Sequence, residues 1–473
     1  MTDVSPMRIG SDEVVTDEVA EVRSPYDGQV VGRVPVGTES HLDAAVAVAL
    51  ERHRSGAIPA HERAAVLDRA AVLLAEQRED FARSIAAEAG KPIKTARVEA
   101  DRAVDTFRFS AAVARTLSGE MIPLEASAAG MGKIGFVQRV PIGVVAAISP
   151  FNFPLNLVAH KVAPAIAAGC PVVLKPASAT PLTALRLASL LLDQAGLPDG
   201  WLNVVTCSGR VANHLVTHDD VAMITFTGSP PVGWGIRAAV PHKRVGLELG
   251  NNAPVVIEPD SDWAGAARKI SVAGYSYAGQ SCISVQRVYV HSSVADGFVD
   301  ELVTAVKGLK VGDPMDDDTD VSALIDGGET ERVHQWIDDA VTAGATLAAG
   351  GQVEGSVLVP TVLTGVRPDM EVCRNEVFGP VVGVATYDDF GEALRLANDS
   401  RYGLQAAVFT SDIGKALQAA RTLDYGGVMI NEVPTWRADQ MPYGGVRDSG
   451  NTREGPAWAA REMTEERLIV IQP

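Results

Sequence analysis

Three polar side chains stand in apolar or aromatic surroundings and are of the types that carbonyl chemistry needs. Cys282 ends the run YAGQSC, Glu248 lies in GLELGNNAP, and Asn152 lies in ISPFNFP. A thiolate can add to a carbonyl carbon, an amide NH₂ can donate a hydrogen bond to the oxyanion, and a carboxylate can act as a general base. From the residues alone, Cys282 is equally compatible with packing and Asn152 with helix capping. An acid in an apolar strand is costly to bury without a role, which favours function for Glu248.

A phosphate-binding turn is predicted at FTGSPPVG, where a strand pattern ends and a helix pattern begins. Backbone N–H groups at a helix N-terminus suit a pyrophosphate, and Gly228 and Gly233 allow close approach of a ligand. No GxGxxG follows the early strands, and no GxxxxGK[ST] is present. Taken alone, the turn is also compatible with a purely structural role.

The pattern along the chain predicts two α/β units that must position these residues. Residues 42–119 are helical in pattern, and one Ala-rich stretch ends at Gly90. The short apolar runs VVAAIS, PVVLKP, LNVVT and AMITFTG then alternate with helical stretches, which indicates a parallel, helix-covered sheet of the nucleotide-binding type. A second α/β series runs from PVVIEP through RVYVHSS and VVGVATY to GGVMIN.

Composition and charge exclude several classes of protein. The chain has 473 residues, of which 47% are hydrophobic and 21% charged, as expected for a globular protein of two or three domains. Its net charge of -18 argues against nucleic acid and anionic membrane surfaces as partners. No signal peptide and no apolar span of about 18 residues is recognisable. We therefore expect a cytoplasmic protein. We also expect no metal site, because the four cysteines lack the spacing of zinc ligands: Cys170, Cys207, Cys282 and Cys373.

Two further segments look like extended ribbons that leave the body of the protein. They are SGEMIPLEASAAGMGKIGFVQRVP, residues 118–141, and the tail EERLIVIQP. Exposed apolar strands of this kind tend to pair with a neighbouring subunit, so a homo-oligomer is expected, and the family resemblance described next implies a homodimer or homotetramer.

Seven motifs occur in the order and at the separations found in the NAD(P)-dependent aldehyde dehydrogenase superfamily, which the chain resembles from about Pro25 to its C-terminus. They are PFNFP, VVLKPASATP, FTGSPPVG, ELGNNAP, AGQSC, EVFGPVV and MPYGGVRDSGNTREG. The resemblance implies an α/β fold of three parts. These are a Rossmann-like cofactor-binding domain (1–117 and 139–249), an α/β catalytic domain (250–455) and a small β-ribbon oligomerisation domain (118–138 and 456–473).

The same resemblance implies residue roles. Cys282 would be the nucleophile, Asn152 and the Cys282 N–H would form the oxyanion hole, and Glu248 would be the general base. The implied reaction oxidises an aldehyde to a carboxylic acid through a cysteine thiohemiacetal and thioester, with NAD or NADP as hydride acceptor. The residues implied around the cofactor are Ser149, Pro150, Phe151, Lys175, Gly228, Ser229, Glu376 and Phe378.

The preference between NAD and NADP stays open. Ser178 stands where many NAD-preferring members of the family have Glu, the residue that would bond the adenosine 2′-hydroxyl. Arg210, in CSGR, is a candidate partner for a 2′-phosphate. We therefore include Ser178 and Arg210 among the predicted cofactor residues.

Substrate recognition is predicted from fewer residues. Arg108, His160 and Arg437 are expected near the mouth of the aldehyde tunnel, where they would suit a short, polar or anionic aldehyde. The other predicted substrate contacts are Phe153, Ser281 and Tyr443. The runs NLVAHK and RADQMPYGGVRDSG resemble the lactaldehyde, phosphonoacetaldehyde and sulfolactaldehyde dehydrogenase branch.

Two alternatives accompany this hypothesis. A coenzyme A-acylating semialdehyde dehydrogenase would use the same thiol, but such branches commonly lack the glutamate, so Glu248 favours a free acid as product. A binding protein that keeps the fold without catalysis is the second alternative, and the intact Cys282, Asn152 and Glu248 speak against it.

Overall fold

A computed structural model describes residues 4–473, so the first three residues of the predicted cofactor-binding domain lie outside the described part. Strands and helices alternate through most of the chain. The strands are, in chain order, β1 Met7–Ile9, β2 Asp12–Val14, β3 Val19–Arg23, β4 Val30–Pro35, β5 Met121–Ile122, β6 Ile134–Pro141, β7 Val144–Ile148, β8 Val172–Lys175, β9 Leu202–Val204, β10 Val221–Thr227, β11 Arg244–Glu248, β12 Ala253–Ile257, β13 Val285–His291, β14 Thr346–Ala349, β15 Val353–Glu354, β16 Val357–Leu358, β17 Thr361–Thr364, β18 Val381–Tyr387, β19 Gln405–Phe409, β20 Gly427–Ile430 and β21 Thr464–Ile471.

The helices begin with four that account for the long helical pattern predicted for residues 42–119. Gly90 ends the third of them in the left-handed conformation, as the sequence predicted. The helices are α1 Glu39–Arg54, α2 Ala60–Glu76, α3 Arg78–Ala89, α4 Ile93–Thr116, α5 Asn156–Ala168, α6 Leu182–Ser189, α7 Gly209–Thr217, α8 Pro230–Ala239, α9 Trp263–Ala273, α10 Ala295–Lys307, α11 Gly327–Thr342, α12 Glu371–Arg374, α13 Phe390–Asn398, α14 Ile413–Thr422 and α15 Pro456–Glu462.

Two seven-stranded sheets form the body of the protein. The first has the order β11-β10-β7-β8-β9-β1-β2 and is parallel except for β1 and β2 at one edge. The second has the order β14-β17-β18-β13-β12-β19-β20 and is parallel except for β14. Strands such as β7 and β12 are buried along their whole length because helices cover both faces of a parallel sheet. The α/β fold class is therefore confirmed.

A three-stranded sheet, in the order β21-β6-β5, forms the ribbon. Strand β21 pairs with β6 over eight residues, from Thr464 opposite Pro141 to Ile471 opposite Ile134. The predicted ribbon boundaries need correction, because β6 continues past residue 138, and residues 456–462 form helix α15 instead. Ala460 and Met463 are buried in the same core as α2, α4 and α5, so α15 packs with the helices of the first α/β unit.

A buried ion pair connects α3 and α4 to two loops of the molecule. Lys91 donates to Glu99, and both side chains are fully buried. The Lys91 ammonium also lies 3.7 Å from the centre of the Phe153 ring and 4.5 Å from that of Tyr277. The pair thereby contacts both the segment that follows Asn152 and the segment that precedes Cys282.

Glu99 also serves as the cap of helix α5. Its Oε1 accepts hydrogen bonds from the N–H groups of Leu155 and Asn156, at 2.9 and 3.1 Å. Leu155 has no side chain that could cap the helix, so a carboxylate from α4 satisfies these otherwise unpaired donors. Among residues 4–473, no helix is long and apolar enough to cross a membrane.

We expect Lys91→Met to destabilise the protein by about 3–5 kcal/mol, because it leaves the Glu99 carboxylate buried without its cation. Guanidinium-induced unfolding, followed by tryptophan fluorescence, measures the change. The matched control is Lys310→Met, which breaks an exposed lysine–aspartate pair with Asp318 and should leave the unfolding midpoint unchanged. Equal midpoints for wild type and Lys91→Met would contradict the assigned role of the buried pair.

Candidate active site

A cleft of about 800 Å³ lies where residues of the two α/β units meet. This volume is in the range of small-molecule and cofactor sites. Cys282, Asn152 and Glu248, which are more than 30 residues apart in the chain, all line it. Nine of the predicted cofactor residues line it as well: Ser149, Pro150, Phe151, Lys175, Ser178, Gly228, Ser229, Glu376 and Phe378.

The predicted phosphate turn joins the end of β10 to the start of α8. Gly228 is required there, because a Cβ atom at this position would lie 2.6 Å from the Phe226 ring. The helix begins with Pro230 and Pro231, which have no N–H. The Gly228 N–H bonds to the Glu248 carbonyl, so Ser229 and Val232 carry the N–H groups that remain available at this helix end.

Glu376 and Lys175 bring opposite charges to the middle of the cleft. Lys175 ends β8, and burial lowers its pKa. Burial raises the pKa of Glu376 to about 7, although its Oε1 accepts a hydrogen bond from the Asn251 N–H at 2.9 Å. The carboxylate lies across Gly250, where a Cβ atom would come within 2.1 Å of Oε2.

The groups in the cleft fit a dinucleotide. Ser149 Oγ is buried and has no hydrogen-bond partner, so a polar group is left for a ligand to satisfy. Lys175 and Glu376 supply a donor and an acceptor for hydroxyl groups, and the walls near α8 carry apolar side chains such as Val232 and Ile236. These residues are of the types that would hold NAD or NADP.

At the rim of this cleft, Ser178 Oγ donates to the Cys207 carbonyl at 3.2 Å. Arg210 is exposed in the first turn of α7 and does not line the cleft, whereas the adjoining Gly209 does. The cleft thus carries a neutral hydroxyl group at position 178.

Phe378 and Phe151 both line the cleft. Their rings meet edge to face, with centres 5.8 Å apart. Phe378 has a φ of +49°, a conformation that non-glycine residues rarely adopt and that is characteristic of functional sites. The aromatic pair lies in the same cleft as Cys282.

The segment before Cys282, called the nucleophile segment after the role predicted for that cysteine, contains left-handed backbone. Tyr277, Ala278 and Gly279 have φ values of 52°, 52° and 71°, and the Tyr277 hydroxyl donates to the Ala89 carbonyl at 2.8 Å. Such strain persists only when surrounding contacts hold it in place. Burial raises the pKa of the Cys282 thiol to about 12, while a hydrogen bond with Tyr443, at 2.8 Å between Sγ and Oη, acts to lower it.

Asn152 faces the nucleophile segment. Its Nδ2 donates to the carbonyl of Gln280 at 2.9 Å, two residues before Cys282. It does not cap α5, because that helix begins at Asn156 and Glu99 accepts its first N–H groups. The capping alternative for Asn152 is therefore wrong.

Glu248 is the last residue of β11 and is buried. Both of its carboxylate oxygens lack a hydrogen-bond partner. Burial, together with the nearby carboxylate of Glu454, raises its pKa well above the ordinary value. A buried acid without partners in a cleft is characteristic of an acid–base group.

A network of buried charges lies behind the thiol. Arg437 donates to Glu454 at 3.0 Å and lies 3.1 Å from His160 Nε2, and its guanidinium carbon is 3.8 Å from the centre of the Tyr443 ring. His160 in turn is 2.9 Å from Asp439 Oδ1. The prediction of His160 as a residue at the tunnel mouth is therefore corrected, since its fully buried ring is held between Asp439 and Arg437.

Arg108 also needs correction. Thr106 faces the buried side of α4, where its hydroxyl donates to Asn156 at 3.0 Å. Arg108 lies two residues further on, about 200° around the helix, and its exposed side chain pairs with Asp105. The arginine of α4 that reaches the network is Arg102, which bonds to Asp439 at 2.8 Å.

The remaining predicted substrate residues, Phe153, Ser281 and Tyr443, do not line the cleft. Phe153 is partly buried above Lys91, and Ser281 is partly buried beside the nucleophile. Tyr443 is buried and packs with Cys282 and Met441.

Sequence reasoning missed several charged residues of the site. Lys161 and Glu454, at 3.9 Å from each other, lie in the quoted runs LNLVAHK and SGNTREG, so their motifs had been found but not their roles. Lys91 follows Gly90 directly, but no phosphate-loop pattern surrounds it, so the sequence did not mark it. The further residues missed in this way are Glu99, Arg102 and Asp439.

The fold and the site define a dinucleotide-dependent oxidoreductase, and comparison with known proteins specifies the family. The model of the aldehyde dehydrogenase family matches residues 13–469. The chain therefore belongs to the aldehyde dehydrogenase family, as its motifs indicated, and it is an NAD(P)-dependent aldehyde dehydrogenase.

Several relatives are similar over nearly the whole chain. A 3-sulfolactaldehyde dehydrogenase from Priestia megaterium is 46% identical over 457 residues, which cover 96% of this chain and 95% of the relative. A lactaldehyde dehydrogenase from Methanocaldococcus jannaschii is 37% identical over 463 residues, which cover 97% of this chain and 98% of the relative.

Solved structures show the same architecture. Aldehyde dehydrogenase 21 from Physcomitrella patens, in complex with the reaction product succinate, superposes with a TM-score of 0.96 at 39% identity, covering 100% of this chain and 98% of that one. NADP-dependent glyceraldehyde-3-phosphate dehydrogenase from Bacillus halodurans, complexed with NADP, superposes with a TM-score of 0.95 at 37% identity, covering 98% of each chain.

Proposed function

We propose that this aldehyde dehydrogenase oxidises a short polar or anionic aldehyde to the free carboxylic acid through a thiohemiacetal and a thioester on Cys282. The observation that carries this proposal is the buried, unpartnered carboxyl group of Glu248 in the cleft that Cys282 also lines. A general base at this position can activate water to hydrolyse a thioester.

In the first half of the proposed reaction, the Cys282 sulfur adds to the aldehyde carbon. The oxyanion that develops is stabilised by the Asn152 amide and the Cys282 N–H. NAD or NADP, when bound, supplies the hydride acceptor. Glu248 then removes a proton from water, the water oxygen attacks the thioester, and the carbon–sulfur bond breaks to release the acid.

The cofactor would be held along the cleft in this proposal. Lys175 and Glu376 would bond ribose hydroxyls, and Gly228 and Ser229 would contact the pyrophosphate. The nicotinamide end would lie against Pro150, Phe151 and Phe378, near Ser149. Ser178 and Arg210 would lie at the adenosine end, where a 2′-phosphate is compatible with the hydroxyl of Ser178.

For the substrate, relatives point to small polar aldehydes. The names of the two curated relatives specify sulfolactaldehyde and lactaldehyde, and the moss structure contains succinate. In this chain, the Arg437 guanidinium lies 3.8 Å from the centre of the Tyr443 ring, and its Nε has no hydrogen-bond partner. We assign contact with the aldehyde to Tyr443 and Ser281, beside the Cys282 thiol. Arg437, buried behind Tyr443, supplies positive charge there without touching the substrate.

Glu248→Gln should separate the two halves of the reaction. We expect a burst of about one reduced cofactor per active site, followed by turnover at least about a hundredfold slower than in wild type, because water is no longer activated. Stopped-flow absorbance of the reduced cofactor measures both phases.

Two variants control this experiment. Cys282→Ala should abolish the burst, and Glu354→Gln, at an exposed position of β15, should behave as wild type. Wild-type turnover that requires coenzyme A would instead support the acylating alternative. Full turnover by Glu248→Gln would exclude Glu248 as the base.

A panel of aldehydes tests the substrate class. We expect lactaldehyde, 3-sulfolactaldehyde and succinic semialdehyde to exceed propanal and butanal in kcat/KM by at least about tenfold, or roughly 1.4 kcal/mol of differential transition-state binding. NAD and NADP are assayed in parallel. A tenfold advantage of the neutral alkyl aldehydes would refute the polar substrate class.

We also propose that the ribbon joins two copies of the chain. Strand β21 is eight residues long, and β6 occupies only one of its edges. Leu468 and Val470 are exposed on it. A long apolar edge strand of this kind is a ready site for pairing with another chain.

Leu468→Asp should shift the protein from an oligomer to a monomer, because a buried charge at a subunit contact is costly. Light scattering after size-exclusion chromatography measures the mass. Leu417→Asp, at an exposed leucine of α14, is the matched control and should keep the mass of the wild type. A monomeric wild type would contradict the proposed pairing.

A further inference from the structure

The Cys282 thiol has one hydrogen-bonding side chain within reach. Tyr443 Oη lies 2.8 Å from Sγ, and the tyrosine side chain is buried. Among residues 4–473, no other hydrogen bond to this sulfur is formed. Tyr443 therefore contacts the reacting sulfur atom itself. The sequence had predicted this tyrosine only as a substrate contact.

We propose that Tyr443 is a catalytic residue that donates its hydroxyl hydrogen to the thiolate of Cys282. A protonated thiol can act as donor or acceptor toward the phenol, whereas a thiolate can only accept, so ionisation of Cys282 fixes the direction of the bond. Hydrogen bonds to an ionised group are stronger than those between neutral groups. The hydroxyl therefore favours the nucleophilic form of the cysteine.

Arg437 strengthens this donor. Its guanidinium lies over the face of the Tyr443 ring, where the positive charge is attracted by the ring and polarises the O–H group. Burial raises the pKa of Tyr443 well above its ordinary value. The phenol therefore stays protonated and can donate a hydrogen bond to the thiolate. The cation stays in place through its ion pair with Glu454.

In this proposal, the buried network of charges positions Tyr443 in addition to balancing charge. Asp439 orients His160, and Arg102 pairs with Asp439 in turn. His160 and Arg437 are thus positioning residues for the tyrosine. The chain of contacts leads from α4 to the sulfur atom without a gap.

The same hydrogen bond serves the second half of the reaction, and this step rests on the proposed hydrolytic function. Water gives its proton to Glu248 and bonds to the thioester carbon. The tetrahedral intermediate then breaks its carbon–sulfur bond, and the electron pair leaves on sulfur. Tyr443 donates to the departing thiolate, which makes it a better leaving group.

Alkylation of the cofactor-free enzyme tests the proposal without the reaction itself. The rate of Cys282 carboxamidomethylation by iodoacetamide is measured from pH 6 to 11 by mass spectrometry of the Cys282 peptide, since the thiolate is the reactive form. In Tyr443→Phe we expect a rate at pH 8 about tenfold lower than in wild type, in keeping with a lost charge-assisted hydrogen bond. The pH profile should shift upward by about one unit.

Tyr275→Phe is the matched control. Tyr275 is equally buried, and its hydroxyl donates to the Thr361 carbonyl at 2.8 Å, away from the thiol. Its alkylation profile should coincide with that of the wild type. A shift as large as that of Tyr443→Phe would overturn the proposal, because it would show a general effect of losing a buried hydroxyl.

A second variant covers the case in which Tyr443→Phe does not fold. Genetically encoded 3,5-difluorotyrosine at position 443 makes the phenol a stronger donor and should shift the alkylation profile to lower pH. An unchanged profile in either folded variant, or faster alkylation of Tyr443→Phe, overturns the role of Tyr443. A wild type that reduces neither NAD nor NADP with any aldehyde overturns the proposed function instead.

Discussion

The active site depends on the buried ion pair between Lys91 and Glu99. The lysine contacts the rings of Phe153 and Tyr277, while the glutamate caps α5. These contacts tie the segments of Asn152 and Cys282 to one helical support. Because the pair is shielded from water, each charge requires the other, and neither loop can move without disturbing both. The left-handed residues before Cys282 are maintained by this arrangement.

Two buried glutamates near the thiol, Glu454 and Glu248, have pKa values that are shifted in opposite directions. Glu454 is paired with Arg437, and although burial acts to raise its pKa, the charges of Arg437, His160 and Lys161 together lower it. Glu248 lies close enough to feel the charge of Glu454 but has no partner of its own. Two buried glutamates thus have pKa values displaced in opposite directions, a division that suits one fixed anion and one group that exchanges protons.

The sequence predicted the parts that depend on local pattern. Short apolar runs such as VVAAIS and PVVLKP became β7 and β8, and the three motif residues Cys282, Asn152 and Glu248 do meet in one cleft. What it could not provide was orientation. Arg102 and Arg108 belong to the same helix, α4, but they lie on different faces of it. Arg102 reaches Asp439, whereas Arg108 is exposed to solvent. The Lys91–Glu99 pair was hidden for a related reason, since its contacts with Phe153 and Tyr277 join distant parts of the chain.

The two long strands of the ribbon, β6 and β21, are synthesised far apart in time. Strand β6 is completed by β21, and the bond from Arg139 to Thr464 spans 325 residues. At about 5–20 residues per second, translation needs roughly 15–65 s to bridge that interval. During this time β6 has been made but lacks its long partner, while most of both α/β sheets has already emerged. The edge of β21 on which the proposed pairing depends is therefore completed last, after most of both sheets.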